Sequence, residues 1–186
     1  PGARLSAVGS ALIVVAPDGS GDFRTVQEAF NAIPDSSSGW TEIVLRPGVY
    51  REKVTLPASK RRVILRAQKE GSAILTFDDH TGRVVGTDTI NTRTSFSCSL
   101  DGDDIRAEGI VFRNTAGRVG QAVALQITGD RVVLDRCKIL GDQDTFFARG
   151  IGRIFLRDCE IEGTTDFIFG SAIVLFDRCL IRSKKD

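Results

Sequence analysis

Short apolar runs separated by turn residues recur along most of the chain. The first run, residues 12–15, is followed by a turn-rich stretch and by residues 25–33, in which apolar side chains recur at helical spacing. Further β-type runs follow at residues 43–45, 63–65 and 73–75, and no later segment has a convincing helical period. The pattern predicts one short N-terminal helix followed by β-structure.

The second half of the chain repeats one pattern: an apolar run, two polar residues, a cysteine, any residue and isoleucine. Three copies centre on Cys137, Cys159 and Cys179, at steps of 22 and 20 residues, and Ile110 takes the cysteine position in an earlier segment. A period of about 20 residues with short strands is typical of a β-solenoid, whose coils bury their inward faces only by stacking. We therefore expect an all-β solenoid with a short N-terminal helix.

The repeat also predicts where the cysteines lie. Residues at one position of successive coils sit above one another, so Cys137, Cys159 and Cys179 should form an inward-facing stack. Two interpretations remain open: small apolar core residues, or a disulfide between successive coils, with Cys159–Cys179 as the favoured pair. A disulfide would imply an oxidising compartment. No CxxC pair exists, which disfavours a zinc knuckle or a thioredoxin-type motif.

Two aspartates occupy matched positions between the repeats. Asp144 follows Cys137 by seven residues, and Asp166 follows Cys159 by the same interval. Adjacent coils are about 4.8 Å apart, so the two carboxylates should be neighbours, and such a pair splits into a proton donor and an anion. Nearby aromatic residues should raise one pKa further; these are Phe146, Phe147, Phe167 and Phe169.

This pairing suits nucleophilic attack by one carboxylate, with the other as general acid and base. Gln143 and Gln121 are amide donors that could hold a developing oxyanion. The competing interpretation is structural, because aspartate often stabilises turns and a lone glutamine often stacks as a hydrogen-bonded amide. Asp142 and His80 are best interpreted as a turn residue and a surface loop residue.

Composition narrows the choice of partners. The 186 residues are 41% hydrophobic and 26% charged with a net charge of +1, which gives no drive toward nucleic acid or membrane. No apolar run approaches the ~20 residues of a membrane span. The single histidine excludes a histidine pair or a histidine-rich metal site. The start lacks a secretory signal pattern, so the protein is either cytoplasmic or has lost a targeting segment.

Five stretches, in order, resemble the pectin methylesterases, carbohydrate esterases that demethylate polygalacturonate in plant cell walls. They are residues 15–27, 48–53, 114–125, 141–145 and 163–170. The sequence of these stretches resembles that of bacterial members more than that of plant members. The resemblance implies a right-handed parallel β-helix over residues 1–186, a single domain without a metal or organic cofactor. It also implies methylated polygalacturonate (pectin) as the partner, a monomer, and a secreted or periplasmic location.

Carried over position by position, the resemblance makes Asp166 the nucleophile and Asp144 the proton donor to methanol and later the acceptor from water. Gln121 and Gln143 would line the oxyanion and substrate site, and Thr92 would contact substrate. Phe167 is a further expected substrate contact, and the Cys159–Cys179 spacing matches a disulfide of some bacterial members.

The chain also departs from the family pattern. It lacks the later Arg-Pro-Trp-type segment, whose arginine holds the nucleophile, so we expect a chain truncated on its C-terminal side. Thr165 replaces the usual valine, and Asp142 stands where an aromatic residue is common. The alternatives are another polyuronate hydrolase or lyase, and an inactive or purely pectin-binding solenoid.

Overall fold

The computed structural model describes residues 4–5 and 11–185, which form short strands and one α-helix. In chain order the first half contains β1 (Arg4–Leu5), β2 (Ala11–Val15), α1 (Val26–Ala32), β3 (Thr41–Leu45), β4 (Gly48–Arg51), β5 (Val54–Leu56), β6 (Val63–Ala67), β7 (Ala73–Phe77), β8 (Val84–Val85), β9 (Asp88–Thr89), a 3₁₀ turn (Thr92–Thr94) and β10 (Cys98–Leu100). The second half contains β11 (Ile105–Glu108), β12 (Ile110–Asn114), β13 (Leu125–Ile127), β14 (Val132–Asp135), β15 (Lys138–Leu140), β16 (Phe146–Ala148), β17 (Arg153–Arg157), β18 (Glu160–Gly163), β19 (Ile168–Gly170), β20 (Ile173–Asp177) and β21 (Leu180–Ser183).

The strands wind as successive coils that contribute to three long sheets. Sheet A runs β1-β2-β3-β6-β11-β14-β17-β20, sheet B runs β4-β7-β12-β15-β18-β21, and sheet C runs β5-β10-β13-β16-β19. Within these sheets every pair is parallel except β1 with β2. Three parallel sheets built from consecutive coils make a parallel β-helix, as the sequence period predicted.

The register between coils confirms the repeat. Ile154 pairs with Val132 on one side and Val174 on the other, the same matches that the sequence pattern gives. Alternate side chains of each strand face inward, and the core they form is apolar, with Phe30, Phe112 and Phe146 among its largest fully buried members.

The cysteines stack in this core. Cys137 and Cys159 are buried, and Cys179 is partly buried against the core. The Cys137 amide donates to the Cys159 sulfur over 3.4 Å. All are free thiols, so the structure contains no Cys159–Cys179 disulfide, and that pairing stays a prediction. The arrangement itself corresponds to the interpretation of the cysteines as small core residues.

Helix α1 packs against strands β2 and β5, with Val26, Ala29 and Phe30 buried. Two separate sets of hydrogen bonds hold its first turn in place. Thr25 and Glu28 form a reciprocal capping box, and the Glu52 carboxylate accepts hydrogen bonds from two amides at the helix start, at 2.8 and 3.0 Å. A carboxylate also complements the positive end of the helix dipole, so Glu52 ties the segment directly after β4 to the helix.

A long insertion separates β7 from β10. It contains the antiparallel β8–β9 hairpin and the 3₁₀ turn. The buried carboxylate of Asp79 anchors the insertion through ion pairs with Lys53 at 2.7 Å and Arg83 at 3.1 Å. Among the described residues no helix is long and apolar enough to cross a membrane.

Candidate active site

The two predicted aspartates lie at the same corner of adjacent coils, each just before a strand of sheet C. Strand β16 pairs with β19 so that Phe146 faces Ile168, which places Asp144 level with Asp166 two residues earlier. The Asp144 amide donates to the Thr165 carbonyl over 3.1 Å, which locks the two corners together. The register therefore brings the two side chains together, as the repeat predicted.

The environments of the two carboxylates differ. Asp144 is 7% exposed, whereas Asp166 is exposed to solvent. Burial, and secondly the charge of Asp166, raises the pKa of Asp144 to about 6. Below about pH 6 the site therefore places a carboxyl that readily holds a proton beside a solvated carboxyl.

Both aspartates adopt left-handed backbone conformations, with φ of 63° at Asp144 and 46° at Asp166. Other corners also use this conformation, and there the aspartates have partners: Asp104 pairs with Arg131, and Asp158 pairs with Arg178. Neither carboxylate of the candidate pair hydrogen-bonds to any described residue. This difference weakens the interpretation of Asp144 and Asp166 as mere turn residues.

The two predicted glutamines lie on successive coils beside the pair. Gln143 directly precedes Asp144, and its carbonyl accepts from the Ala122 amide over 3.0 Å, next to Gln121. Both side chains are half-buried and have no hydrogen bond within the described part of the chain. Their amide groups are thus free to meet a ligand.

Thr92 approaches the same region through the insertion. Its hydroxyl lies 3.3 Å from that of Thr81, and the Thr81 amide donates to the Gln121 carbonyl over 2.9 Å. The structure thus connects Thr92 to the loop that carries Gln121. His80, expected as a surface loop residue, is partly buried, with Nδ1 3.0 Å from the Thr81 carbonyl.

The four aromatic residues near the pair divide between the core and the outer face. Phe146 is fully buried in the core, and Phe167 packs against it from a half-buried position. Phe147 and Phe169 instead form a stacked pair on the outer face, with ring centroids 4.3 Å apart and planes 13° apart. This outer pair is an apolar platform beside the aspartates, whereas a substrate contact by Phe167 stays a prediction.

Two neighbouring clefts flank the loop of Asp144 and share Asp142. The smaller, about 260 Å³, is lined by Arg118, Gly120, Asp142, Gln143, Thr164 and Thr165. The larger, about 350 Å³, includes Arg113, Glu162 and Lys184. Lys184 binds the Asp142 carboxylate at 2.6 Å and the Gly141 carbonyl at 3.0 Å, so it holds the loop that leads to Asp144.

Sequence reasoning missed Arg118 and Lys184 as parts of this region. Nothing in the spacing of Lys184 along the sequence links it to residue 142. Within the described residues no cluster of histidine, cysteine or acidic side chains is arranged to hold a metal ion. The groups that the described residues bring together here are two carboxyl groups, two amides and nearby cations.

Residues 12–186 match the family described as Pectinesterase. The chain belongs to the pectinesterase family. A probable pectinesterase/pectinesterase inhibitor from Brassica napus is 39% identical over 173 residues, which cover 92% of this chain and 29% of that relative. Pectin methylesterase from carrot is 37% identical with a TM-score of 0.86, over 98% of this chain and 55% of that structure. Both are plant proteins, and the bacterial-like character suggested by the motifs stays a prediction.

A further pectinesterase relative was solved as a pectin methylesterase in complex with a hexasaccharide. It is 28% identical with a TM-score of 0.84, over 94% of this chain and 56% of that structure. This chain thus spans about half the length of the solved family members and less than a third of the Brassica napus relative. The similarity covers the coils that carry Asp144 and Asp166.

Proposed function

We propose that this pectinesterase family member hydrolyses the methyl esters of polygalacturonate, giving methanol and free carboxylates. The observation that carries the proposal is the carboxyl pair on adjacent coils, in which the pKa of the buried Asp144 is raised to about 6 beside the exposed Asp166. Family membership supports the ester as the bond attacked, and the hexasaccharide bound by the solved relative supports a sugar polymer as substrate. We further propose that the protein acts as a secreted or periplasmic monomer.

In this proposal Asp166 attacks the ester carbonyl carbon. The carbon–methoxy bond breaks as protonated Asp144 transfers its proton to the departing oxygen, which releases methanol and leaves an acyl-aspartate. Asp144 then accepts a proton from water as the water attacks that acyl group, which frees Asp166 and the substrate carboxylate. The amides of Gln121 and Gln143 would stabilise the oxyanion in both steps.

Methanol release from highly methylated pectin tests the proposal. We expect Asp166→Asn and Asp144→Asn each to lower release at least about a hundredfold, because each removes a group needed in the transition state. Asp158→Asn is the matched control: it is an exposed aspartate at another left-handed corner, paired with Arg178. Undiminished release by Asp166→Asn contradicts the mechanism, and cleavage of the polymer without methanol indicates a different polyuronate enzyme.

Binding of pectin without turnover is the second candidate. It is favoured by one observation: within the described residues no arginine or lysine pairs with Asp166, although the family pattern includes an arginine that holds the nucleophile. Saturable pectin binding by the wild-type chain, together with no methanol release from it, would support this candidate over the esterase.

A further inference from the structure

Arg118 lines the cleft beside the candidate catalytic pair. It lies on the loop between β12 and β13 and shares the 260 Å³ cleft with Gln143, which directly precedes Asp144, and with Thr165, which directly precedes Asp166. A group bound by the Arg118 guanidinium would therefore lie within the same cleft as the neighbours of both aspartates.

The positive charge of Arg118 is not matched by an acid. The side chain donates to the Lys185 carbonyl, and no carboxylate of the described residues lies within ion-pair distance of it. Among the described residues that line this cleft, the one acidic residue is Asp142, and it is bound to Lys184 at 2.6 Å. Since a guanidinium has five N–H donors, the bond to Lys185 leaves most of them available.

We propose that Arg118 binds a free uronate carboxylate of the substrate chain, next to the sugar whose ester meets the aspartate pair. A guanidinium matches a carboxylate through two parallel hydrogen bonds, whereas a methyl ester carries no charge to pair with. The residue would therefore favour substrates that already contain demethylated sugars. This inference rests on the proposed function for its substrate class.

Binding of unmethylated trigalacturonate, measured by titration calorimetry at low ionic strength, tests the inference without any turnover. We expect Arg118→Gln to weaken binding roughly tenfold, the scale of one charge-assisted contact, and Arg118→Lys to weaken it less because the charge remains. Arg61→Gln is the matched control, since Arg61 is exposed between β5 and β6 and does not line this cleft.

Equal affinity of Arg118→Gln and the wild type overturns the inference, as does equal weakening by Arg61→Gln, which would reveal a general charge effect. Absence of binding by the wild type also overturns it. Because the experiment measures affinity, failure of the Arg118 inference is distinguishable from failure of the esterase proposal. An inert chain can still bind through Arg118, and an active chain can bind without it. In an active chain, Arg118→Gln should raise KM more for partly demethylated pectin than for fully methylated pectin.

Discussion

Asp144 combines two properties that rarely occur together in an aspartate. It is almost fully buried, and its carboxylate has no hydrogen-bond partner among the described residues. A buried charge without partners is unfavourable, so the protein stabilises the protonated form instead. A structural turn residue would gain nothing from this arrangement, whereas a proton donor working near neutral pH requires it.

The raised pKa of Asp144 predicts a pH-dependent stability change in Asp144→Asn. The native state holds the proton more tightly than the unfolded chain, so wild-type stability falls as the pH rises from about 4 through the folded pKa of about 6. Asparagine is neutral and tolerates the left-handed backbone. We expect the variant to be more stable at pH 8 by about 1–2 kcal/mol, a value reduced by solvent screening, and the gain to vanish near pH 4. Urea unfolding at both pH values measures this, and a pH-independent difference contradicts it.

The same pKa predicts the alkaline limb of the activity profile. Donation to methanol requires protonated Asp144, so kcat/KM for methanol release should fall as the pH rises through about 6. The residual activity of Asp144→Asn should lack that limb, whereas Asp158→Asn should keep it. Initial rates on methylated pectin across pH 4 to 8, in buffers of constant ionic strength, measure this. A wild-type rate that stays constant from about pH 5 to 8 would rule out Asp144 as the acid.

The positions of Asp144 and Asp166 could be predicted from the sequence, because residues at the same position of successive coils lie next to each other in space. Each aspartate follows an aligned cysteine by seven residues, which places both carboxylates at one corner, and this prediction needs no information from the rest of the chain. Arg118 and Lys184 could not be placed in this way. The loop of Arg118 belongs to no repeat, and the contact of Lys184 with Asp142 depends on side-chain conformation.

At the scale of elements, helix α1 and the strand runs were predictable from local signals, whereas the insertion between β7 and β10 was not. The helix ends where its apolar spacing ends, and each predicted β-run lies within a strand. The insertion lacks a periodic pattern, and its course depends on the ion pairs of Asp79 with Lys53 and Arg83. Such long-range pairs leave no spacing signal in the sequence.

One corner of the coils is built on glycines that touch the preceding coil. A Cβ on Gly129 would lie 1.9 Å from the carbonyl oxygen of Gly102, and one on Gly152 would lie 2.3 Å from that of Gly129. Backbone cannot yield as a flexible side chain can, so any side chain here forces the coils apart. We expect Gly129→Ala to destabilise the protein by about 2 kcal/mol or more in urea unfolding.

Gly39→Ala is the control for this prediction. A Cβ at Gly39 meets no atom within 4 Å, so we expect a change within about 0.5 kcal/mol. Equal stabilities of Gly129→Ala and Gly39→Ala would mean that the close approach of the coils at this corner does not constrain the fold.

At the scale of the whole molecule, stability is shared between neighbouring coils, because each coil covers the inward face of the next. The coil of β20 and β21 has a described neighbour on one side only. Its inward-facing side chains, Val174 and Phe176, are accordingly only partly buried, whereas the matching Ile154 and Leu156 of the preceding coil are buried. In a chain of these 186 residues, local opening should therefore require the least free energy at this coil.

Hydrogen exchange measured by mass spectrometry tests this gradient. We expect the amides of β20 and β21 to exchange at least about tenfold faster than those of β14 and β15, because opening the outer coil uncovers one interface and opening an inner coil uncovers two. Leu134→Ala, which truncates a fully buried side chain in β14, should lower the protection of the inner coils. Leu175→Ala should change protection little, since that side chain already faces solvent. Uniform protection from β14 to β21 would mean that the coils open as one cooperative unit and that exposure of the outer coil does not weaken it.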